Sequence, residues 1–100
     1  MNIYNYFYHV GVGYYKALGG RNCPLRDMIS SREDCKAAGF HLGYPYVGVT
    51  KDHPDYTAGC YWRQSGGIYF NPNLNTSPKW KTNGGICARQ GKSLLSKYRK

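Results

Sequence analysis

The residues in this chain that are best suited to chemistry are four cysteines, and their spacing favours disulfide bonds over metal binding. The chain has 100 residues and an even number of cysteines, which are Cys23, Cys35, Cys60 and Cys87. Such a set, spread over a short chain, is typical of a disulfide framework. Structural zinc sites usually take ligands in close pairs such as Cys-x-x-Cys, and no such pair occurs here. Zinc binding and free thiols remain the alternatives, and no metal site is predicted.

The other reactive residue types do not form a catalytic motif. The chain has only five acidic residues, and Glu33 and Asp34 follow a serine pair in the pattern of a helix start. Asp52 and Asp55 flank His53 in a segment whose composition indicates a polar turn. Oxidised cysteines could not act as nucleophiles. We therefore predict a protein that is not an enzyme, with no catalytic residues and no cofactor.

The net charge of +9 is concentrated in the C-terminal half. Residues 1–55 hold six Lys and Arg and all five acids, whereas residues 56–100 hold eight Lys and Arg and no acid. A cationic surface favours anionic partners such as acidic glycans, acidic proteins or nucleic acid. The candidate binding residues in this half are basic and aromatic side chains close together in sequence: Trp62, Arg63, Lys79, Trp80, Lys81 and Arg89.

The first twenty residues are rich in tyrosine. Tyr4, Tyr6 and Tyr8 alternate with other residues, so they would share one side of an extended strand. We predict that residues 1–20 form an aromatic arm, as a strand or hairpin, ahead of a core domain at residues 21–91 and a basic tail at residues 92–100. The arm tyrosines would either contact a partner or cover the domain's own sheet.

One helix and several strands are expected within the core. Ser30 or Ser31 would begin the helix as its N-cap, and Gly43 would end it. Between them an apolar stripe at helical spacing comprises Cys35, Ala38, Gly39 and Leu42. Residues 44–54 read as a loop or short strand, residues 58–64 and 68–70 as a hairpin, residues 71–82 as a long loop, and residues 85–89 as a last strand.

Four cysteines allow three disulfide connectivities, and the sequence alone does not choose among them. The predicted elements favour one of the three. A bridge from Cys35 to Cys60 would join the helix to a strand, and a bridge from Cys23 to Cys87 would tie the two ends of the domain together.

A series of short motifs runs through the cysteine region: Cys23-Pro24, Ile29-Ser30-Ser31, Cys35-Lys36-Ala37-Ala38, Leu42-Gly43, Gly59-Cys60-Tyr61, Ile68-Tyr69-Phe70-Asn71 and Ile86-Cys87. Over about two thirds of the chain this series resembles a small four-cysteine module of marine protist proteins, and more loosely a minimal PAN/apple domain. The resemblance implies a helix crossing a curved antiparallel sheet, the same two bridges, and a role in extracellular adhesion or in carbohydrate or protein binding. The expected class is α+β: a small disulfide-stapled domain with one helix packed on a curved antiparallel sheet.

These features together predict a non-enzymatic interaction or structural module. We expect it to be extracellular or part of a large assembly such as a virion, and to bind a protein neighbour through the Tyr-rich arm and the basic face. A carbohydrate-binding module is the alternative, and nucleic-acid binding ranks below both because disulfides argue against an intracellular module. No run of about 20 apolar residues could span a bilayer. Residues 1–20 show no signal peptide, so a cytoplasmic location also stays open.

Overall fold

Five strands and one helix make up the domain in the computed structural model, which describes residues 12–50 and 53–90. In chain order the elements are β1 (Val12–Lys16), a short 3-10 turn (Leu25–Asp27), α1 (Arg32–Leu42), β2 (Tyr46–Val49), β3 (Gly59–Arg63), β4 (Ile68–Asn71) and β5 (Asn83–Gln90). The predicted α+β class, with one helix packed on a sheet, is confirmed. The predicted strand with Tyr4, Tyr6 and Tyr8 and the basic tail at residues 92–100 lie outside the described residues.

The strands form one sheet in the order β1-β5-β3-β4-β2. The predicted hairpin is confirmed, because β3 and β4 are antiparallel with Cys60 opposite Phe70 and Trp62 opposite Ile68. Three of the four neighbouring pairs are antiparallel. The exception is the edge strand β2, which pairs in parallel with β4. β3 lies between these two strands in the chain, and the short, glycine-containing segment of β2 carries little strand signal of its own.

Helix α1 begins and ends where its capping residues predict. The Ser31 hydroxyl accepts a hydrogen bond from the backbone N–H of Asp34 at 3.2 Å, and Gly43 ends the helix in the left-handed conformation at φ 77°. A side chain at that φ would be strained, which is why glycine is favoured there. Cys35, Ala38 and Gly39 are buried, so the predicted apolar stripe is confirmed. Within the described residues no helix is long and apolar enough to cross a membrane.

The two faces of the sheet are covered differently. Successive residues of a strand point to opposite faces, so Cys60 and Trp62 of β3 face the helix while Tyr61 and Arg63 face away from it. The helix side holds a small apolar core: Ile29, Cys35, Ala38, Cys60, Ile68, Phe70 and Ile86. The opposite side is covered by loops, and Tyr61 is fully buried beneath them.

Each face has its own disulfide bond. Cys35 of α1 is bonded to Cys60 of β3, with 5.3 Å between their Cα atoms. Cys23 is bonded to Cys87 of β5, with 5.6 Å between their Cα atoms, and this bridge lies on the face away from the helix because the preceding β5 residue, Ile86, is in the helix-side core. The favoured pairing is therefore confirmed. With every cysteine sulfur in a disulfide, the zinc alternative does not apply to this structure.

Strand β1 places part of the predicted N-terminal arm within the sheet. It pairs antiparallel with β5 from Val12 to Lys16, and the chain continues along β5 because the Ala17 N–H donates to the Gly85 carbonyl at 2.8 Å. On the side away from the helix, the Tyr15 hydroxyl donates a hydrogen bond to the buried carboxylate of Asp27. This hydrogen bond is the main cause that raises the pKa of Tyr15 above its usual value.

The two disulfides differ in the length of chain that they close, and removing them should have graded effects. The Cys35–Cys60 bridge spans 25 residues and the Cys23–Cys87 bridge spans 64, which in the loop-entropy model correspond to about 3.5 and about 4.3 kcal/mol of stability. The double variant Cys35→Ala/Cys60→Ala should lose about the first amount in urea denaturation, and Cys23→Ala/Cys87→Ala about the second. Since small domains have total stabilities of about 5–15 kcal/mol, both variants should be close to unfolding. Losses below about 1 kcal/mol would contradict this account.

Candidate ligand-binding site

A concavity of about 540 Å³ lies on the face of the sheet away from α1. We call it the aromatic concavity, and it is lined by Tyr56, Arg63, Gln64, Ser65, Trp80, Thr82 and Asn83. Its position follows from the sheet register, since Arg63 of β3 pairs with Asn83 of β5 and both side chains point away from the helix. The volume is within the range of about 300–1,000 Å³ that is usual for small-ligand sites.

One wall of the aromatic concavity consists of stacked rings. The ring of Tyr56 lies parallel to the ring of His53 with 4.1 Å between centroids, and Trp80 meets Tyr56 edge to face at 5.4 Å. Edge-to-face pairs at this separation are favourable for aromatic rings. Trp80 nevertheless keeps 44% of its surface exposed. The wall therefore consists of rings packed on one another and also presents an aromatic surface to solvent.

Arg63 is held over tyrosine rings. Its guanidinium carbon lies 4.1 Å from the ring centroid of Tyr69 and 5.0 Å from that of Tyr56, within the range of cation–π attraction. An Nη atom of the same group donates a hydrogen bond to the Tyr61 hydroxyl at 3.1 Å. Burial lowers the pKa of Arg63, but this hydrogen bond and the surrounding tyrosines outweigh it and raise that pKa above its usual value. The guanidinium is thus a fixed positive charge.

Buried asparagines position the loop that carries Tyr56. The Asn71 side-chain amide donates to the carbonyls of His53 and Thr57 at 3.0 and 3.1 Å. The Asn83 side-chain oxygen accepts from the N–H and the hydroxyl of Thr57 at 3.2 and 2.6 Å. Asn71, Asn83 and Thr57 are all buried. Because backbone polar groups away from water need partners, these amides replace the hydrogen bonds that a regular element would supply.

The residues of the predicted polar turn fulfil structural roles. The Asp55 N–H donates to Nδ1 of His53 at 3.3 Å, and the Asp55 carboxylate pairs with the ammonium group of Lys79 at 3.5 Å. This ion pair connects the loop of Tyr56 to the loop of Trp80. Asp52 lies outside the described residues.

A second depression, of about 320 Å³, lies beside Lys16, Tyr44 and Trp62 and shares Arg63 and Gln64 with the aromatic concavity. The Lys16 ammonium group lies 4.8 Å from the Trp62 ring and 5.3 Å from the Tyr44 ring. The Trp62 indole N–H donates to the Ala17 carbonyl at 2.9 Å. Both aromatic rings are therefore already engaged by the chain's own cation, and Trp62 fixes the end of β1.

The structure brings together some of the sequence-predicted binding residues and separates others. Arg63 and Trp80 line the aromatic concavity, and Lys79 stabilises its rim through the Asp55 ion pair. The remaining candidates lie elsewhere: Trp62 on the helix side, Arg89 beside Asp27 at 3.8 Å, and Lys81 on the exposed surface with its backbone against Gly19. Tyr4, Tyr6 and Tyr8 lie outside the described residues.

Several lining residues were missed by sequence reasoning. These residues come from turns or strand ends, and they are Tyr56, Gln64, Ser65, Thr82 and Asn83. In such segments the sequence has no periodic hydrophobic pattern that would show which residues share a face. The one available signal was Tyr56, an aromatic residue directly after a polar turn.

Comparison with known proteins adds no further information about this site. The chain matches no protein-family model, no curated protein and no solved structure. The resemblance to PAN/apple-like modules therefore stays a prediction. Among residues 12–50 and 53–90, no group of three or more His, Cys, Asp or Glu side chains could hold a metal ion.

Replacing Asn83 by alanine should loosen the loop that positions Tyr56. The substitution leaves the buried N–H and hydroxyl of Thr57 without their acceptor, and each unsatisfied buried group costs about 1–3 kcal/mol. We expect Asn83→Ala to lower the free energy of unfolding by at least about 1 kcal/mol in urea denaturation. Asn75→Ala, at an exposed position, is the matched control and should change it by less than about 0.5 kcal/mol. Equal stability of the two variants would show that the Asn83 amide does not hold the loop.

Proposed function

We propose that this chain is a non-enzymatic binding module that recognises carbohydrate through the aromatic concavity. The observation that carries the proposal is the juxtaposition of an exposed indole with a rim of short polar side chains. Trp80 is 44% exposed beside Tyr56, and Gln64, Ser65 and Thr82 line the same concavity.

The chemistry of this lining complements that of a sugar. A pyranose ring has a face of C–H groups, which can pack on an aromatic ring, and a rim of hydroxyls that both donate and accept hydrogen bonds. Gln64 offers an amide that also does both, and Ser65 and Thr82 offer hydroxyls. A mainly apolar site with a few polar groups that fix orientation is the usual form of a small-ligand site.

The site is preorganised, which reduces the entropy cost of binding. Tyr56 is fixed by its stacking on His53, and its loop is fixed by Asn71 and Asn83. Rigid side chains lose less conformational freedom when a ligand binds. A ligand that binds weakly, such as a neutral sugar, depends on this lower entropy cost.

The two disulfides are in keeping with an extracellular role for such a module. Disulfides form and persist in oxidising environments, and both are present here. In our proposal the module acts in an extracellular protein or in a large assembly such as a virion, where surface glycans are the ligands within reach.

Trp80→Ala should weaken carbohydrate binding, because it removes the exposed aromatic surface of the concavity. A glycan array would identify ligands of the unaltered protein, and isothermal titration of one of them would give the affinity. We expect Trp80→Ala to weaken binding by at least about tenfold, because the apolar area that the sugar buries against the indole is lost. Phe40→Ala is the control, since Phe40 is 85% exposed on α1, away from the concavity. If the array shows no ligand, or if both variants bind equally, carbohydrate recognition at this site is wrong.

A protein neighbour is the second candidate partner, and the exposed edge of β2 favours it. Within residues 12–50 and 53–90, β2 ends the sheet, and its Val47 and Val49 side chains are 56% and 50% exposed. An unpaired edge can accept a strand from another chain. The Tyr-rich arm, with Tyr4, Tyr6 and Tyr8, would supply the alternating strand, and the basic face would meet an acidic partner.

Deleting residues 1–11 tests this second candidate without removing β1, which starts at Val12. If the arm of one copy pairs with β2 of another, the full chain should self-associate in analytical ultracentrifugation and the shortened chain should be monomeric. Val47→Lys should have the same effect by blocking the edge with a charge. A monomeric full chain at all concentrations would exclude pairing between copies.

A further inference from the structure

We infer that the ligand of the aromatic concavity is an acidic saccharide whose anionic group binds the guanidinium of Arg63. This inference rests on the proposed carbohydrate function and specifies the ligand class. The charge balance of Arg63, its geometry and the charges around it support this ligand class.

Arg63 has no counter-ion within residues 12–50 and 53–90. The ion pairs in this part of the chain join Arg32 to Glu33, Lys79 to Asp55 and Arg89 to Asp27. The neighbours of the Arg63 guanidinium are instead the rings of Tyr56, Tyr61 and Tyr69. A charge that is partly withdrawn from water interacts more strongly with an opposite charge than a fully exposed one does.

The guanidinium also keeps hydrogen-bond donors available. It has five N–H groups in a planar fork, and within residues 12–50 and 53–90 it donates one side-chain hydrogen bond, to the Tyr61 hydroxyl. Arg63 lines the aromatic concavity, and its guanidinium lies 5.0 Å from the ring of Tyr56 in the same lining, so in our inference a ligand there meets this fork. Carboxylate and sulfate groups match the fork with two parallel hydrogen bonds, and stacking on Tyr69 fixes its plane in advance.

The acidic groups in the part of the chain that the structure describes do not cancel this positive charge. Asp55 is the acid closest in sequence to the lining residues, and its carboxylate is neutralised by Lys79 at 3.5 Å. Asp27 is buried beside Arg89, and Glu33 and Asp34 lie at the start of α1, on the other face of the sheet. Residues 56–100 contain no acid at all. Among residues 12–50 and 53–90, the unneutralised charge at the concavity is therefore the positive charge of Arg63.

The lining favours a saccharide with one bound anionic group over a nucleic acid. Nucleic-acid affinity comes from several cations that track the phosphate backbone, whereas Arg63 is the one basic residue among the described residues that line the aromatic concavity. Lys79 is engaged by Asp55. In the inferred complex the sugar ring packs on Trp80, the hydroxyls meet Ser65 and Thr82, and the anionic group meets Arg63.

Matched pairs of oligosaccharides test the inference. The affinity of the unaltered protein would be measured by isothermal titration for an oligosaccharide containing uronic acid, for the same compound with its carboxyl groups reduced to alcohols, and for a sulfated counterpart of the neutral compound. We expect at least one acidic form to bind about tenfold more tightly than the neutral form, the effect of one charge-assisted hydrogen bond. The acidic compound that binds more tightly shows whether the bound anionic group is a carboxylate or a sulfate.

Variants then assign the preference to Arg63. Arg63→Gln should bind the acidic and neutral compounds equally, whereas Arg26→Gln, which removes an exposed positive charge before α1, should keep the preference. If Arg63→Gln is unfolded by circular dichroism, Arg63→Lys replaces it and should reduce the preference, because lysine keeps the charge but lacks the planar fork.

The possible outcomes distinguish failure of this inference from failure of the proposed carbohydrate binding. Equal affinity of the unaltered protein for neutral and acidic forms, or a preference that survives Arg63→Gln, would overturn the acidic ligand and leave carbohydrate binding in place. Absence of binding to every saccharide would overturn both. Tighter binding of a single-stranded oligonucleotide than of any saccharide, with a salt dependence that corresponds to several phosphate contacts, would replace the saccharide with nucleic acid.

Discussion

The two disulfides, one on each face of the sheet, are the constraint on which the rest of this domain depends. Seven buried residues form the apolar cluster between α1 and the sheet, and two of them are the bonded pair Cys35 and Cys60. A chain of this length buries too little surface for a large core. The Cys35–Cys60 bridge compensates on the helix side. The Cys23–Cys87 bridge compensates on the other side, where Cys23 lies so close to β5 that a Cβ on Gly85 would be 2.6 Å from its sulfur.

With the sheet fixed in this way, its second face can be covered by loops and polar aromatic residues. Tyr61 is fully buried there, although its hydroxyl must be satisfied, and it is hydrogen-bonded with Thr50 and Arg63. Tyrosine suits this layer because its ring packs like an apolar side chain while its hydroxyl keeps polar partners. The same layer that completes the fold therefore also builds the lining of the aromatic concavity.

The sequence was sufficient for features that local patterns encode. Ser31 and Gly43 mark the ends of α1 through capping chemistry, and the hairpin of β3 and β4 follows from alternation around a glycine turn. The pairing of β2 with β4 was not predictable in this way, because a parallel contact between distant segments leaves no local pattern. Arg63 and Trp80 were identified as binding residues by type alone. Their convergence with Tyr56 depends on loop positions that Asn71 and Asn83 set through tertiary hydrogen bonds, which sequence spacing does not reveal.

The environment of Arg63 differs from that of the cations that form ion pairs. Among the described residues, Lys79 is paired with Asp55 and Arg89 with Asp27. Other basic side chains of this fold are thus neutralised by an acid. Arg63 instead has stacked rings and one hydroxyl, which orient the guanidinium without neutralising it. Burial disfavours the charge of Arg63, but the Tyr61 hydrogen bond and the tyrosine rings outweigh that penalty. The fold thus stabilises this cation without an acid, and in our proposal the unneutralised charge is what an anionic group of the ligand meets.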